Sequence, residues 1–336
     1  MQQPRSIVTK TPKPKIDYPL KSCIRLESII IQRRDFGKMS QANQTLIADL
    51  SLVLCTYGRV NEVNDFLESV DAQSIKPAEI IIVDQNEKEI LKDLINEWQA
   101  KLSIKHRRVN FKGASKSRNY GASEAKSSLI AFPDDDCLYP SILIEELIKL
   151  FQSHPEVDVI LASKIEPSEI HNGLKKGKIH YSLVNSILDL FKAKAETSNI
   201  FTRKSILKTL SYVFDENIGP GANTPWASNE ETDFLIRLLK QEARIIKLKD
   251  LAIAHHSLQG SPIKSLKYGM GRFEVILKNQ LGTKIYLINL LQPIARYFKS
   301  PKPYNLLLCI STMLGRSGII NLTYRLPNHL RWIIQS

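Results

Sequence analysis

The chain is constrained most by a rhythm that begins at Asp49. Short apolar runs alternate there with segments whose apolar residues recur at helical spacing. "LSLVLC" reads as a buried strand, "NEVNDFLESVDAQ" as a helix, "EIIIVD" as a second strand and "EKEILKDLINEWQA" as a second helix. "SIKHRRV" suggests a third strand, "ASKSRNYGASEA" a helix, "SLIAF" a strand, "SILIEELIKLFQSH" a strongly amphipathic helix and "VDVILAS" another strand. This alternation predicts an α/β fold with a mainly parallel sheet flanked by helices. Ligands in such sheets bind beyond the carboxyl ends of the strands. Thr56 and Tyr57 follow the first strand, Asp84 ends the second, and Asp134, Asp135 and Asp136 follow a later one.

The second half is less regular. "TSNIFTRKSI" reads as a strand leading into a helix, and "FDENIGPGANTPWASNEE" as a long Gly/Pro/Asn-rich loop of the kind kept for function. "EETDFLIRLLKQ" is a helix with acidic residues in its first turn, and "RIIKL" and "LAIAHH" are two candidate strands. From about Ser261 the pattern becomes basic amphipathic helices. The expected organisation is an N-terminal extension (1–47), a catalytic domain (48–260) and a C-terminal helical region (261–336).

Charge narrows the partners. The net charge is +13, which calls for something anionic: nucleic acid, a phosphorylated substrate or an acidic membrane face. After Asp250 the only acidic residue is Glu274, against a long series of lysines and arginines. The four cysteines, Cys23, Cys55, Cys137 and Cys309, lie far apart, so neither a disulfide framework nor a zinc site is expected. A reducing cytoplasm is the simplest setting. The N-terminus lacks the apolar core of a signal peptide. "YNLLLCISTML" is shorter than the ~18 residues of a spanning helix.

The carboxylates carry the chemistry. Three adjacent aspartates beside an apolar strand need something positive. On an extended segment Asp134 and Asp136 share a side, so they can share one ion, whereas Asp135 points the other way and is expected to tolerate replacement. Oxygen ligands of this kind suit Mg²⁺ or Mn²⁺. The plainer alternative is an acidic approach to the helix near Ser141. Asp84 either accepts from a base or ribose or merely closes a turn. Lys112, Lys116 and Arg118 form either a diphosphate-binding patch or a solvated helix face. Glu230 and Glu231 either take a proton from an attacking hydroxyl or simply suit a helix N-terminus. His255 or His256 is either a third metal ligand or structural.

Taken in order, "SLVLCTYGR", "EIIIVDQN", "GASKSRNYGA", "LIAFPDDDC", "SNIFTRKSI", "GPGANTPWASNEETDFLIRL" and "IAHHS" resemble family 2 glycosyltransferases of the GT-A fold. The resemblance covers about Asp49 to Ser257. It implies that Thr56, Tyr57 and Arg59 sit at the nucleotide, that Asp84 holds the uracil or ribose, and that Gly113 and Arg118 lie over base and phosphates. It implies a DxD motif at Asp134 and Asp136, with Asp136 the direct ligand of Mn²⁺ or Mg²⁺; His255, from its place at a strand end, is the expected further ligand, and Asp135 is counted among the residues lining the nucleotide-sugar. Glu231 falls where the family has its catalytic base, with Glu230 before it. The chain departs from the pattern at Gly58, Gln85, Ser117 and Glu231, where the family commonly has Asn, an acidic residue, Ala and Asp.

The implied activity is inverting transfer from a nucleotide-sugar, a UDP-sugar by preference, to a saccharide or lipid-linked acceptor in cell-surface polysaccharide synthesis. The basic helices suit adsorption to an anionic inner leaflet, or they only cover the core. A sugar-1-phosphate nucleotidyltransferase would need a glycine-rich basic signature after the first strand, where "CTYGRVNE" offers only Gly58 and Arg59. A nucleic-acid-binding protein would interleave its basic residues with aromatics, and here they lie in apolar helices. A binding module without activity would not need the carboxylates.

Overall fold

The computed structural model describes residues 46–172, 179–256 and 260–325. Cys23, Arg331 and nearly all of the expected N-terminal extension lie outside them. The first part runs β1 (Leu46–Thr56), α1 (Asn61–Asp71), β2 (Ile75–Asp84), α2 (Lys92–Trp98), β3 (Ile104–Arg108), α3 (Ala114–Glu124), β4 (Leu129–Ala131), β5 (Cys137–Leu138), α4 (Leu143–Ser153) and β6 (Val159–Ile165). There follow β7 (Tyr181–Leu183), α5 (Ile187–Ala193), β8 (Ile200–Arg203), α6 (Lys204–Leu207), α7 (Glu230–Lys240) and β9 (Ile245–His255). Four helices close the described chain: α8 (Pro262–Lys278), α9 (Gly282–Lys299), α10 (Pro303–Arg316) and α11 (Ile319–Arg325).

The strands form one nine-stranded sheet in the order β3-β2-β1-β4-β8-β6-β9-β5, with β7 also on β9. The stretch β3-β2-β1-β4 is parallel throughout, as the alternation predicts. Beyond β4 the sheet is mixed, with antiparallel pairs β4–β8, β6–β8, β5–β9 and β7–β9. Connection length bears on this only at β5. A parallel neighbour needs a crossover of a dozen or more residues. β5 follows β4 too closely for that and pairs antiparallel with β9 instead. The two candidate strands "RIIKL" and "LAIAHH" are one eleven-residue strand, β9. Asp250, which interrupts the apolar pattern, accepts from the His180 backbone N–H at 2.8 Å.

Both faces of the sheet are covered. Leu50, Leu52 and Leu54 of β1 pack with Phe66 of α1 and Leu143 and Leu147 of α4, while Val53, pointing the other way, packs with Ala122 of α3 and Phe234 of α7. α3 reaches the sheet because Gly121 has no side chain: a Cβ there would stand 2.3 Å from Val53 Cγ1. That contact sets the depth at which Arg118, one turn earlier, enters the strand ends. α8 braces α7 in turn. Asn279 Nδ2 donates to the fully buried Asp233 at 2.8 Å, and Lys278 reaches Asp233 at 2.9 Å and Asp215 at 2.5 Å.

Candidate functional site

The cations the aspartates require are Arg59, Arg118 and His255. They come from the β1–α1 turn, from α3 and from the last residue of β9. Arg59 Nη1 lies 2.7 Å from both Asp135 Oδ1 and Asp136 Oδ2. His255 Nε2 stands 3.1 Å from Asp136 Oδ1 and 3.8 Å from Asp134 Oδ2. Arg118 Nη2 donates to Asp134 Oδ1 at 2.8 Å, and its Nη1 to Glu230 Oε1 at 3.0 Å. One alternating series of charges thus runs from Arg59 through the aspartates and Arg118 to Glu230, at the carboxyl ends of the strands.

The protonation states follow from the pairing. The hydrogen bond with His255 holds the Asp136 carboxyl well below the usual range; burial opposes this, and the charges of His255 and Arg59 add to it. Burial works to lower the Arg118 pKa, but Asp134 and Glu230 hold it above the ordinary value. Burial raises Glu230 in spite of Arg118. Burial, then the neighbouring charge of Glu230, raises Glu231 as well. Glu231 is half-buried and accepts from Thr232 Oγ1 at 3.0 Å; the Arg272 charge acts on it, but among the described residues no cation lies close enough to lock its carboxyl into an ion pair.

Asp134 and Asp136 both meet His255, whereas Asp135 turns toward β1. The expectation that Asp135 tolerates replacement needs correcting. It is 8% exposed and accepts from Thr56 Oγ1 at 2.7 Å and from Arg59 Nη1 at 2.7 Å. The alternation expected of an extended segment does not apply, because Asp135 and Asp136 lie in a turn, where one Arg59 nitrogen reaches both, and the side toward β1 is also buried. Replacing Asp135 with Ala is expected to cost about 1–3 kcal/mol of stability, since a buried donor is left unpaired. Asp135→Asn should cost less. A thermal melt that did not shift for Asp135→Ala would show that these bonds contribute nothing net.

Asp84 is placed differently from its expected role on a base or ribose. It is fully buried, and both oxygens are engaged: Oδ1 by the backbone and side-chain nitrogens of Asn86 at 2.8 and 2.7 Å, Oδ2 by His106 Nε2 at 2.9 Å. Asn86 Oδ1 then accepts from the Gly58 N–H at 2.7 Å, and Gln85 Oε1 from the Gly113 N–H at 2.8 Å. Asp84 therefore fixes the loop that holds two other candidate residues. Gly58 sits at φ 73°, a left-handed conformation that glycine and asparagine both adopt, so glycine in place of the common asparagine keeps this turn. Tyr57 is 57% exposed, and Lys112 Nζ lies 3.7 Å from its ring centre. A cavity of about 400 Å³ opens beside them, lined by Gln85, Asn86, Glu87, Arg108, Asn110 and Lys112.

Gly113 meets the GPG loop. A Cβ on Gly221 would fall 3.0 Å from the Gly113 Cα, and the Ala114 N–H donates to Pro220 O at 2.9 Å. Gly219 likewise leaves room for Glu230, whose carboxyl a Cβ would meet at 3.0 Å. The sequence reading missed Thr197, which donates to Asp134 at 3.1 Å, and Glu196, whose Oε2 is 3.7 Å from His255 Nδ1. No spacing rule joins either to the aspartates; only the β4–β8 pairing does. It also missed Asn86, although "VDQN" ends the second strand.

Asp134, Asp136 and His255 offer the oxygen and imidazole donors that suit Mn²⁺ or Mg²⁺. Their donor atoms are engaged with one another and with arginines, and among the described residues no group of three or more His, Cys, Asp or Glu side chains is arranged as a preformed metal centre. The donor types fit an ion that would replace these charge pairs.

The Glycosyl transferase family 2 model matches residues 51–210. An uncharacterized glycosyltransferase of Haemophilus influenzae is 26% identical over 202 residues, 57% of this chain and 62% of that protein. A glucosyl-dolichyl phosphate glucuronosyltransferase of Haloferax volcanii is 31% identical over 112 residues, 32% of this chain and 35% of that one. The matched stretches thus span less than two thirds of these relatives. Among solved structures, Staphylococcus aureus TarS 1–349 in complex with UDP-GlcNAc superimposes with a TM-score of 0.53 at 16% identity, over 85% of this chain and 78% of that one. The mannosyltransferase PcManGT of Pyrobaculum calidifontis, in complex with GDP-Man and Mn²⁺, gives 0.52 at 12% identity, again over 85% and 78%. These likenesses show the fold.

Proposed function

We propose, for a chain whose residues 51–210 belong to glycosyl transferase family 2 and whose fold is GT-A, inverting transfer of a sugar from a nucleotide-sugar, a UDP-sugar by preference, to an acceptor hydroxyl. The observation that carries this reading is the charge series from Arg59 to Glu230, which ends beside an unlocked carboxyl at Glu231. The acceptor is read as a saccharide or lipid-linked saccharide of cell-surface polysaccharide synthesis.

In this reading the donor base lies in the cavity beside Gln85, Asn86 and Lys112. Tyr57 and Arg59 flank its diphosphate, and Arg118 adds a fixed positive charge beneath it. Asp136 and Asp134, with His255 beside them, would hold a divalent ion, and such an ion would neutralise charge on the leaving diphosphate. Glu231 accepts the proton of the acceptor hydroxyl as its oxygen attacks the anomeric carbon from the face opposite the diphosphate. The glycosidic bond forms while the bond to the diphosphate oxygen breaks. Glu230 keeps Arg118 in place and takes no proton itself.

A thermal-shift screen of nucleotide-sugars with and without Mn²⁺ tests donor and ion together, because a ligand of the folded state raises apparent stability. The expected result is a UDP-selective shift that grows with Mn²⁺ and disappears in Asp136→Ala. Mn²⁺-dependent transfer at wild-type rate in Asp136→Ala would remove the metal role from that residue.

A further inference from the structure

Helices α9 to α11 are built inside out. In α9 the buried residues are Asn289 and Pro293, while Leu287, Ile288, Leu291 and Phe298 are exposed, Phe298 to 72%. At 100° per residue these four fall on one side of the helix, with Lys284 and Lys299 on the same side near its ends. α10 buries Cys309, Gly315 and Arg316 and exposes Leu306, Leu307, Ile310 and Leu314. α11 buries Asn321 and exposes Ile319 and Leu322. A water-facing helix does the opposite.

The pattern is local. Fifteen of the twenty-two exposed large apolar side chains among the described residues fall between Ile263 and Tyr324. Scattered exposed leucines need no explanation, but exposed apolar side chains gathered on one side of α9 and on one side of α10 mark an interaction surface. The polar residues turned inward are tied into the helices, with Asn289 Nδ2, Arg316 Nε and Asn321 Oδ1 left without partners among the described residues. Arg316 Nη1 donates to Asn289 O at 2.7 Å and Asn321 Nδ2 to Met270 O at 3.1 Å. The inversion is therefore a packed arrangement.

Charge selects the partner. Residues 262–325 hold ten lysines and arginines and one acidic residue, Glu274. Glu274 is 7% exposed and paired with Arg325, so it offers the outside no negative charge. Lys284, Arg296, Lys299 and Lys302 are exposed, and Lys284 and Lys299 lie on the apolar side of α9. Two copies meeting through this face would bring like charges together without a counter-charge. Among the described residues no single helix is long and apolar enough to cross a membrane; α10 and α11 together reach that length, with a bend of 40° between them.

We propose that α9–α11 form a docking surface for an anionic lipid bilayer, lying in its interface with Leu287, Leu291, Phe298, Ile310 and Leu314 in the acyl boundary and the lysines at the headgroups. Helix α8 links this surface to the reaction centre: it packs closely on α10, where a Cβ on Gly269 would stand 2.9 Å from the Gly315 Cα. α8 packs on the loop before Glu230, where Asn229 Nδ2 donates to Tyr268 O at 3.2 Å. The docking gives the lipid-linked acceptor a route to Glu231, and that part rests on the proposed function; lipid binding itself does not.

The test is flotation of the purified full chain with phosphatidylcholine vesicles and with vesicles containing phosphatidylglycerol. The wild type is expected to bind the anionic vesicles at least tenfold more tightly, and less tightly at high salt. With ~1 kcal/mol for each basic residue near the surface, the triple change Lys284→Gln, Lys299→Gln and Lys302→Gln should weaken binding about 100-fold. Leu287→Gln with Leu291→Gln and Phe298→Gln should also release the chain, with an unchanged melting temperature because these positions are exposed. Equal binding to both vesicles, or to neither, overturns the proposal. So does a dimer in light scattering that the Leu/Phe variant converts to monomer, which would assign the face to a second copy. Transfer to a soluble acceptor, measured on the same variants, separates this from the catalytic reading: intact transfer without vesicle binding sinks only the docking surface.

Discussion

Glu231→Gln is expected to lower the transfer rate by about 10²–10⁴-fold, the usual contribution of a positioned general base, while leaving donor affinity and thermal stability close to wild type. Glu231 is half-buried and makes no ion pair within 4 Å among the described residues; the amide can still accept from Thr232 and gives up only the longer-range attraction to Arg272. Glu230→Gln should act differently, because Glu230 is the buried partner of Arg118.

The pH profile distinguishes the two. A base works deprotonated, so the rate rises with pH through its pKa and is lost below it. Burial and the charge of Glu230 raise the Glu231 pKa, which places that limb above the ordinary carboxylate range. Removing the Glu230 charge takes away one of those two causes. In Glu230→Gln the limb should therefore move to lower pH, and in Glu231→Gln it should vanish. A limb that vanished in Glu230→Gln and persisted in Glu231→Gln would exchange the two roles.

The largest stability effect is expected at Arg118. Its guanidinium is 6% exposed and holds Asp134 with one nitrogen and Glu230 with another. Arg118→Met leaves two carboxylates in a poorly solvated place with no counter-charge between them. Breaking a buried pair from one side costs about 3–5 kcal/mol, and urea unfolding at neutral pH measures it. Arg118→Lys keeps the charge but not the fork that spans both acids, so it should lie between wild type and Arg118→Met. Adding Glu230→Gln to Arg118→Met should recover part of the loss, since one stranded charge is removed. An unchanged midpoint in Arg118→Met would mean that desolvation cancels the pair in full.

Much of this was legible in the residues, and the reasons for the exceptions are physical. The first half of the fold follows from periodicity, since strands and helices of ordinary length alternate at crossover spacing. The second half follows only in part: "TSNIFTRKSI" does fold as β8 leading into α6 and "EETDFLIRLLKQ" as α7, but β5 and β7 are too short to carry a pattern, and the antiparallel pairs join strands remote in the chain. The aspartate triplet announced itself by its charge, and its cationic partners were among the residues singled out. What could not be read was depth. Asp84 and Asp135 look like surface-facing ligands on a one-dimensional chain, yet both are closed in by neighbours that only the folded sheet supplies. Helices α9–α11 read as amphipathic and basic, as they are; the sequence pattern does not say which face turns inward.

The seat of the GPG loop on α3 has a consequence for how this protein can vary. The Gly113–Gly221 contact contains no side chain, and both residues have positive φ. Neither can be exchanged and then compensated by a change in the other, because there is nothing to trim. Contacts of this type leave no paired substitutions behind them. Methods that find neighbours through compensating changes are blind to the join that holds the long loop over the reaction centre, and it is expected to show only as two separate positions that each hold glycine.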